Sequence, residues 1–278
     1  MYKQFKNKFQ QLSYSKLKFL LNKNPNSNSV LVNSFPKSGT HLLYQIFWKS
    51  KYTNDFKSFI ASHGSRRKLE NTTIKTNNQI DRLLDGELVR AHIFYDKTTS
   101  KLLADKDYIN YFIFRDPRDV VISEANYLYK MNKFHLLHKH YKNIDNLNDR
   151  INFSIMGNDY YETSYTYRNI KDRFLKYDGW LKDKTCHCVK YEDLIGPTKS
   201  ETIMSILQFF IKKTNLEIDI NTLFSESIKS IDPSKSHTFN TGGIAKWKNI
   251  FNDENKKIFK EYTGDLLIDL KYEENNDW

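Results

Sequence analysis

Cysteine, proline and glycine are all scarce: two, five and nine among 278 residues. Two cysteines, Cys186 and Cys188, cannot build a disulfide framework, so the chain reads as a protein of a reducing, cytoplasmic compartment. So little glycine and proline excludes collagen-like and low-complexity chains. No run of roughly eighteen apolar residues occurs, which excludes a helical membrane span. Residues 1–23 lack a continuous apolar stretch ending in small residues, so no secretory signal is expected. Acidic residues are missing from the start: residues 1–54 hold nine lysines and no carboxylate before Asp55. The net charge of 44 − 33 = +11 therefore splits into +9 there and +2 over the remainder. Such a field favours an anionic partner without choosing among nucleic acid, an acidic membrane face and a phosphorylated cofactor.

What remains is a chain of the size of one large α/β domain, with enough apolar and aromatic side chains to bury a core without staples. Tyr2, Phe5, Phe9, Leu12, Leu17, Leu20 and Leu21 recur at helical spacing between lysines. Residues 1–29 thus read as a basic helix docked on the domain, followed by a turn-rich connector; a membrane-surface helix or a transit sequence are the other readings of that pattern. Val30-Leu31-Val32, Leu88–Ile93, Tyr108–Phe114 and Thr185–Tyr191 are predicted strands, rich in branched and aromatic residues. Helical patterns follow Gly39, Asp116-Pro117 (an N-cap with proline at the first helical position, running to about Met131) and Thr198, the last to Lys212. Strands separated by helices predict a single α/β domain, 1–278, with a central, mostly parallel sheet flanked by helices. Residues 131–183 are polar, aromatic and mostly helical in pattern.

The turn Ser34-Phe35-Pro36-Lys37-Ser38-Gly39-Thr40-His41 joins the first predicted strand to its helix. A helix start offers unpaired N–H groups to a phosphate, Gly39 lets the backbone approach an anion, Ser38 and Thr40 add hydroxyls and Lys37 a mobile charge. The backbone N–H of His41 is a further donor. The spacing G-x-x-x-x-G-K-[ST] is absent, so this is not a loop that wraps a triphosphate. A bare K-S-G-T is also compatible with an ordinary strand–helix turn. Cys186-His187-Cys188 would put both thiols on one face of a strand and the imidazole on the other; with no second ligand cluster, strand packing accounts for it and no metal is expected.

Five segments in order carry a family likeness. Phe35–Thr40 (FPKSGT) resembles the 5′-phosphosulfate loop of the cytosolic-type sulfotransferases, which use 3′-phosphoadenosine 5′-phosphosulfate (PAPS) and give adenosine 3′,5′-bisphosphate (PAP). Arg90–Ile93, Phe114–Ser123 (FRDPRDVVIS), Tyr191–Leu194 and Gly242–Phe251 fall at that family's later motifs. The resemblance implies a P-loop-like fold and sulfuryl transfer from PAPS, in line, to a hydroxyl or amine of a small-molecule acceptor, with residues 131–183 supplying the acceptor pocket and lid. It implies catalytic roles for His92, as general base, and for Lys37, at the oxygen bridging phosphorus and sulfur. It implies donor binding by Lys37, Ser38, Gly39, Thr40, His41, Arg115, Ser123, Tyr191 and Gly242: Arg115 and Ser123 at the 3′-phosphate, Tyr191 at the adenine side. His41, His135, His138, His140 and His187 gain no comparable role for their rings, and Arg118 reads as a surface charge of its helix. Two departures stand out. Asn240 and Thr241 occupy the places of an Arg-Lys pair that contacts the 3′-phosphate in the family, so either neutral side chains and backbone N–H groups bond that phosphate with less charge assistance and lower affinity, or a cation from elsewhere compensates; Leu42 stands where tryptophan is common.

Other classes remain conceivable from the sequence: a PAP-binding protein without turnover, a P-loop-type nucleotide kinase, or a basic binder of nucleic acid or membrane. The last lacks a recognisable grouping of aromatics for RNA, and no nucleic-acid partner is expected.

Overall fold

The computed structural model describes residues 18, 20–23, 27–63, 71–157, 167–235 and 243–278. Most of the predicted N-terminal helix, part of the predicted lid, and Asn240, Thr241 and Gly242 lie outside the described residues.

Five strands, β1 (Val30–Ser34), β2 (Phe59–Ala61), β3 (Leu88–His92), β4 (Ile109–Phe114) and β5 (Cys186–Lys190), form one sheet in the order β2-β3-β1-β4-β5. Every pairing is parallel. All residues of β1 and β4 are buried, Asn33, Ser34 and Asn110 included, as in strands whose two sheet faces are both covered by helices. The alternation of side chains splits the core in two. Val30, Val32, Tyr111 and Ile113 face the helices Thr40–Gln45 and Lys199–Lys213, through Leu43, Ile203, Ile206 and Phe210. Leu31 and Phe112 face the other way, toward Val120, Val121 and Ala125 of the helix Pro117–Asn126 and toward Ile151, Phe174 and Trp180. Each fully buried Val, Leu, Ile or Phe contributes about 1.5–3 kcal/mol, so this two-sided burial dominates the stability.

β1 sends its connection toward β2 and β3, whereas neighbouring β4 sends its connection toward β5. The reversal opens a crevice at the carboxyl ends of β1 and β4, the place where open α/β sheets bind ligands. The helix Pro117–Asn126 starts as its sequence dictates: the Asp116 carboxylate accepts from the Arg118 N–H at 2.9 Å, with proline at the first position. It continues into a π-helical turn, Tyr127–Met131. On β5, Cys186 packs with the second core and His187 stacks on Phe209 from the opposite face, with ring centroids 5.0 Å apart.

One reading of the sequence is corrected here. Arg118 is not a surface charge: it is 2% exposed. Its guanidinium grips Asp116 through Nε and Nη2, bonds Glu273 at 2.5 Å, and lies 3.7 Å from the Trp247 ring centroid and 4.6 Å from that of Trp278. Two aromatic faces and Glu273 from distant parts of the chain, with the neighbouring Asp116 carboxylate, offset its desolvation cost.

Candidate active site

The turn after β1 is held from below. The Phe35 ring is buried edge-on against Phe174 and Tyr177, at 5.2 and 5.4 Å between centroids. The backbone then bends through two left-handed residues, Lys37 at φ 68° and Gly39 at φ 97°. Gly39 is required twice over: its φ favours glycine, and a Cβ there would sit 2.5 Å from Cδ2 of Tyr191. Tyr191, the first residue of the short helix Tyr191–Ile195, is therefore the floor of the turn. The Ser38 hydroxyl is completely buried and has no hydrogen-bond partner among the described residues. Buried hydroxyls are almost always paired, so an unpaired one in this turn marks a place made for an acceptor group.

The Lys37 ammonium lies 3.7 Å from the centroid of the Tyr127 ring. Burial pushes its pKa down to about 8, the Glu124 carboxylate works against that, and the positive field of Arg115 adds to it. At neutral pH it remains a cation, poorly hydrated and directed across the crevice, which is the condition in which a lysine interacts most strongly with an anion.

His92 ends β3, beside β1. Its Nδ1 is 3.1 Å from the Ser34 carbonyl oxygen and 3.0 Å from the Ser34 hydroxyl, which in turn meets the Thr40 hydroxyl at 2.6 Å. A carbonyl only accepts, so Nδ1 carries the proton and Nε2 keeps the lone pair. Phe59 stands edge-on to the imidazole at 5.2 Å. Burial pushes the His92 pKa down to about 4; the Ser34 carbonyl opposes this, and the positive fields of His41, Lys37 and Arg90 reinforce it. The ring is neutral at pH 7.

Arg115 follows β4 and is 7% exposed. Its Nη2 donates to Asp119 at 3.1 Å and to the Gly243 carbonyl at 2.9 Å, and its guanidinium carbon lies 4.5 Å from the Tyr191 ring centroid. Its Nε is buried without a partner among the described residues. The Asp119 carboxylate also accepts the Trp247 N–H at 3.0 Å, so a single buried acid fastens both Arg115 and the C-terminal glycine-rich segment. Ser123 is half-buried two turns along the same helix.

The crevice thus brings together Lys37, Ser38, Gly39, Thr40, His92, Arg115 and Tyr191 of the residues singled out from sequence. The pairing of Arg115 with Asp119, an acid four residues on along a predicted helix, is also legible in the sequence, and Tyr127 adjoins the segment expected to supply the acceptor pocket. Glu124 was missed, and the contact of Ser34 with His92 acts between elements, where no local pattern reports it.

A glycine-containing turn at the switch point of a parallel sheet, with a neutral imidazole on the adjacent strand end, defines an open, helix-flanked α/β fold. Residues 27–271 match the family model for the sulfotransferase domain, and the chain belongs to that family. Among solved structures, it resembles mouse sulfotransferase SULT7A1 complexed with PAP at 15% identity and a TM-score of 0.56, over 90% of each chain. It likewise resembles retinol dehydratase in complex with androsterone and inactive cofactor PAP at 14% identity and a TM-score of 0.58, over 93% of this chain and 85% of that one. At these identities the likeness is one of fold. No curated protein matches the sequence. Among the described residues no group of histidine, cysteine or carboxylate side chains is arranged to hold a metal, and no helix is long and apolar enough to cross a membrane.

Proposed function

We propose that this chain moves a sulfuryl group from PAPS to a hydroxyl or amine of a small-molecule acceptor, with His92 as the general base. The observation that carries the reading is the pairing of an orphaned, buried Ser38 hydroxyl in the turn with an imidazole whose Nδ1 is engaged and whose Nε2 is left to take a proton. Bound in the crevice, PAPS would supply the sulfuryl group and a phosphate leaving group. The residues present suit it: Ser38 Oγ and Arg115 Nε are buried donors in want of acceptors, one in the turn and one at the end of β4.

Lys37, the Ser38 hydroxyl and the backbone N–H groups of Gly39, Thr40 and His41 would hold the 5′ end and stabilise charge that grows there as the bond to sulfur breaks. Arg115, with Ser123, would grip the 3′-phosphate, Tyr191 would lie at the adenine side, and Gly242 would add a backbone contact. His92 Nε2 would accept the acceptor's proton. The acceptor side is read as the face formed by Tyr127, the segment after it and Phe59, which is half exposed beside His92. The base strength of His92 is low in the ligand-free protein first because the ring is buried and then because the positive fields of His41, Lys37 and Arg90 oppose its protonation; anionic ligand charge would offset those fields and raise it. Free thiols at Cys186 and Cys188 support work in a reducing, cytoplasmic compartment.

The test is transfer of label from 35S-PAPS to a panel of phenols, alcohols and amines. Label on one of these classes is the expected result. Magnesium-dependent ATP turnover with no sulfuryl transfer to any acceptor would instead make the chain a nucleotide kinase, and PAP binding without transfer a non-catalytic relative.

A further inference from the structure

One buried ion pair has no part in the steps above. Glu124 is a buried carboxylate on the helix Pro117–Asn126. Both its oxygens accept from Nη1 of Arg173, at 2.8 Å each, and the helix Ile170–Leu175 carries that arginine. Arg173 is fixed in turn: its Nη2 donates to the Ser154 carbonyl at 2.6 Å, and its guanidinium carbon lies 4.2 Å from the Tyr167 ring centroid. The hydroxyls of Tyr141 and Ser154 meet at 2.7 Å and close the frame. A buried pair of this kind is weak evidence for stability by itself, since desolvation offsets the attraction. Its position gives it another use. The Tyr127 N–H bonds the Ser123 and Glu124 carbonyls, so Tyr127 lies one turn beyond Glu124 and the two side chains share a helix face. Over that face, 3.7 Å from the Tyr127 ring centroid, lies the Lys37 ammonium.

We propose, resting on the PAPS reading above, that Glu124, locked by Arg173, is the positioning residue of Lys37: a fixed counter-charge that holds the ammonium over the Tyr127 ring and toward the crevice. The electrostatics of the site agree. Burial pushes Lys37 down to about 8; of the groups that face it, Glu124 opposes this and Arg115 adds to it, while His92 and the Tyr127 phenol are held neutral by burial. Facing Glu124 are Arg173, the phenols of Tyr141 and Tyr167, kept neutral by burial, and His135, whose ring burial pushes down to about 4. Within this set Lys37 is the group that titrates just above neutrality.

NMR titration of the Lys37 ε-methylene reads the effect without turnover. The midpoint should be near 8 in the unsubstituted protein, lower by about one unit in Glu124→Gln, and close to the unsubstituted value in Glu124→Asp. The sign follows from charge: the carboxylate favours the ammonium, and without it the positive fields of Arg115 and Arg173 act unopposed. Arg173→Gln removes positive charge from the same place, so its midpoint should move upward. An unmoved midpoint in Glu124→Gln, or a downward one in Arg173→Gln, overturns the proposal. Should neither variant fold, the unsubstituted protein still decides: nuclear Overhauser contacts are expected between the Lys37 ε-methylene and the Tyr127 ring, and their absence overturns the placement. In turnover with 35S-PAPS, the alkaline limb of kcat/KM should move down in Glu124→Gln with the Lys37 midpoint; a lower rate with the limb unmoved is the signature of a merely structural role and contradicts the proposal. If the unsubstituted protein transfers no label to any acceptor, the PAPS reading has failed, and the titration alone decides whether Glu124 holds Lys37.

Discussion

His92 and Ser34 meet at one ring nitrogen, with Nδ1 3.1 Å from the carbonyl oxygen and 3.0 Å from the hydroxyl of the serine that ends β1. The contact ties the end of β3 to the turn, because the same hydroxyl reaches Thr40. His92→Ala should therefore lower kcat by about 10²–10⁴ while PAP affinity changes little. Ser34→Ala, which leaves the carbonyl in place, should lose less. Steady-state kinetics with calorimetry checks both; a His92→Ala protein with undiminished kcat would remove the base from the mechanism.

The pKa of His92 is a second readout. It is pushed down to about 4, first by burial and then by His41, Lys37 and Arg90. Added negative charge in the crevice favours the protonated ring, so the sign is upward: titration of the His92 ring by NMR should show a higher pKa with PAP than without. A pKa unmoved by saturating PAP would mean that the nucleotide binds away from the imidazole.

Gly39→Ala should disable the turn, since the new methyl meets Tyr191 at 2.5 Å and the backbone is held at φ 97°. Tyr191 cannot step aside freely, being backed by Arg115 at 4.5 Å. We expect a stability loss of about 1–3 kcal/mol in urea unfolding and no measurable PAP binding. Unchanged stability and binding would show that the turn tolerates a side chain.

Arg118 is the strongest structural prediction. Arg118→Ala strands the buried carboxylate of Asp116 and empties the space between Trp247 and Trp278. Breaking a buried pair in this way costs about 3–5 kcal/mol. Arg118→Lys should recover little, because an ammonium cannot span Asp116 and Glu273 as the fork does. Denaturant midpoints of the two variants check this; a loss under 1 kcal/mol, the scale of a surface pair, would contradict it.

Four of the five strands and the helices that frame the crevice were legible in the sequence because they are long, apolar or capped: β1 and β4 are unbroken buried runs, and Asp116-Pro117 announces its helix. β2 escaped because it is three residues of a sheet edge, with Phe59 52% exposed and no alternation to read. The family motifs located the turn, His92 and Arg115. They did not reveal what holds them. Ser34, Asp119 and Tyr127 act across elements, and Arg118 looked like a solvent charge because its tryptophans and Glu273 arrive from more than a hundred residues away. Charge on a helix is legible locally; its burial is decided by whatever packs over it.

The measurement that bears most directly on the account is a crystal structure with PAP bound. We expect its 5′-phosphate within hydrogen-bond distance of Lys37 Nζ and Ser38 Oγ, with the His92 Nε2 facing the open space beyond that phosphate. PAP seated outside the turn between β1 and Thr40, or an imidazole turned away from the phosphate, would contradict it.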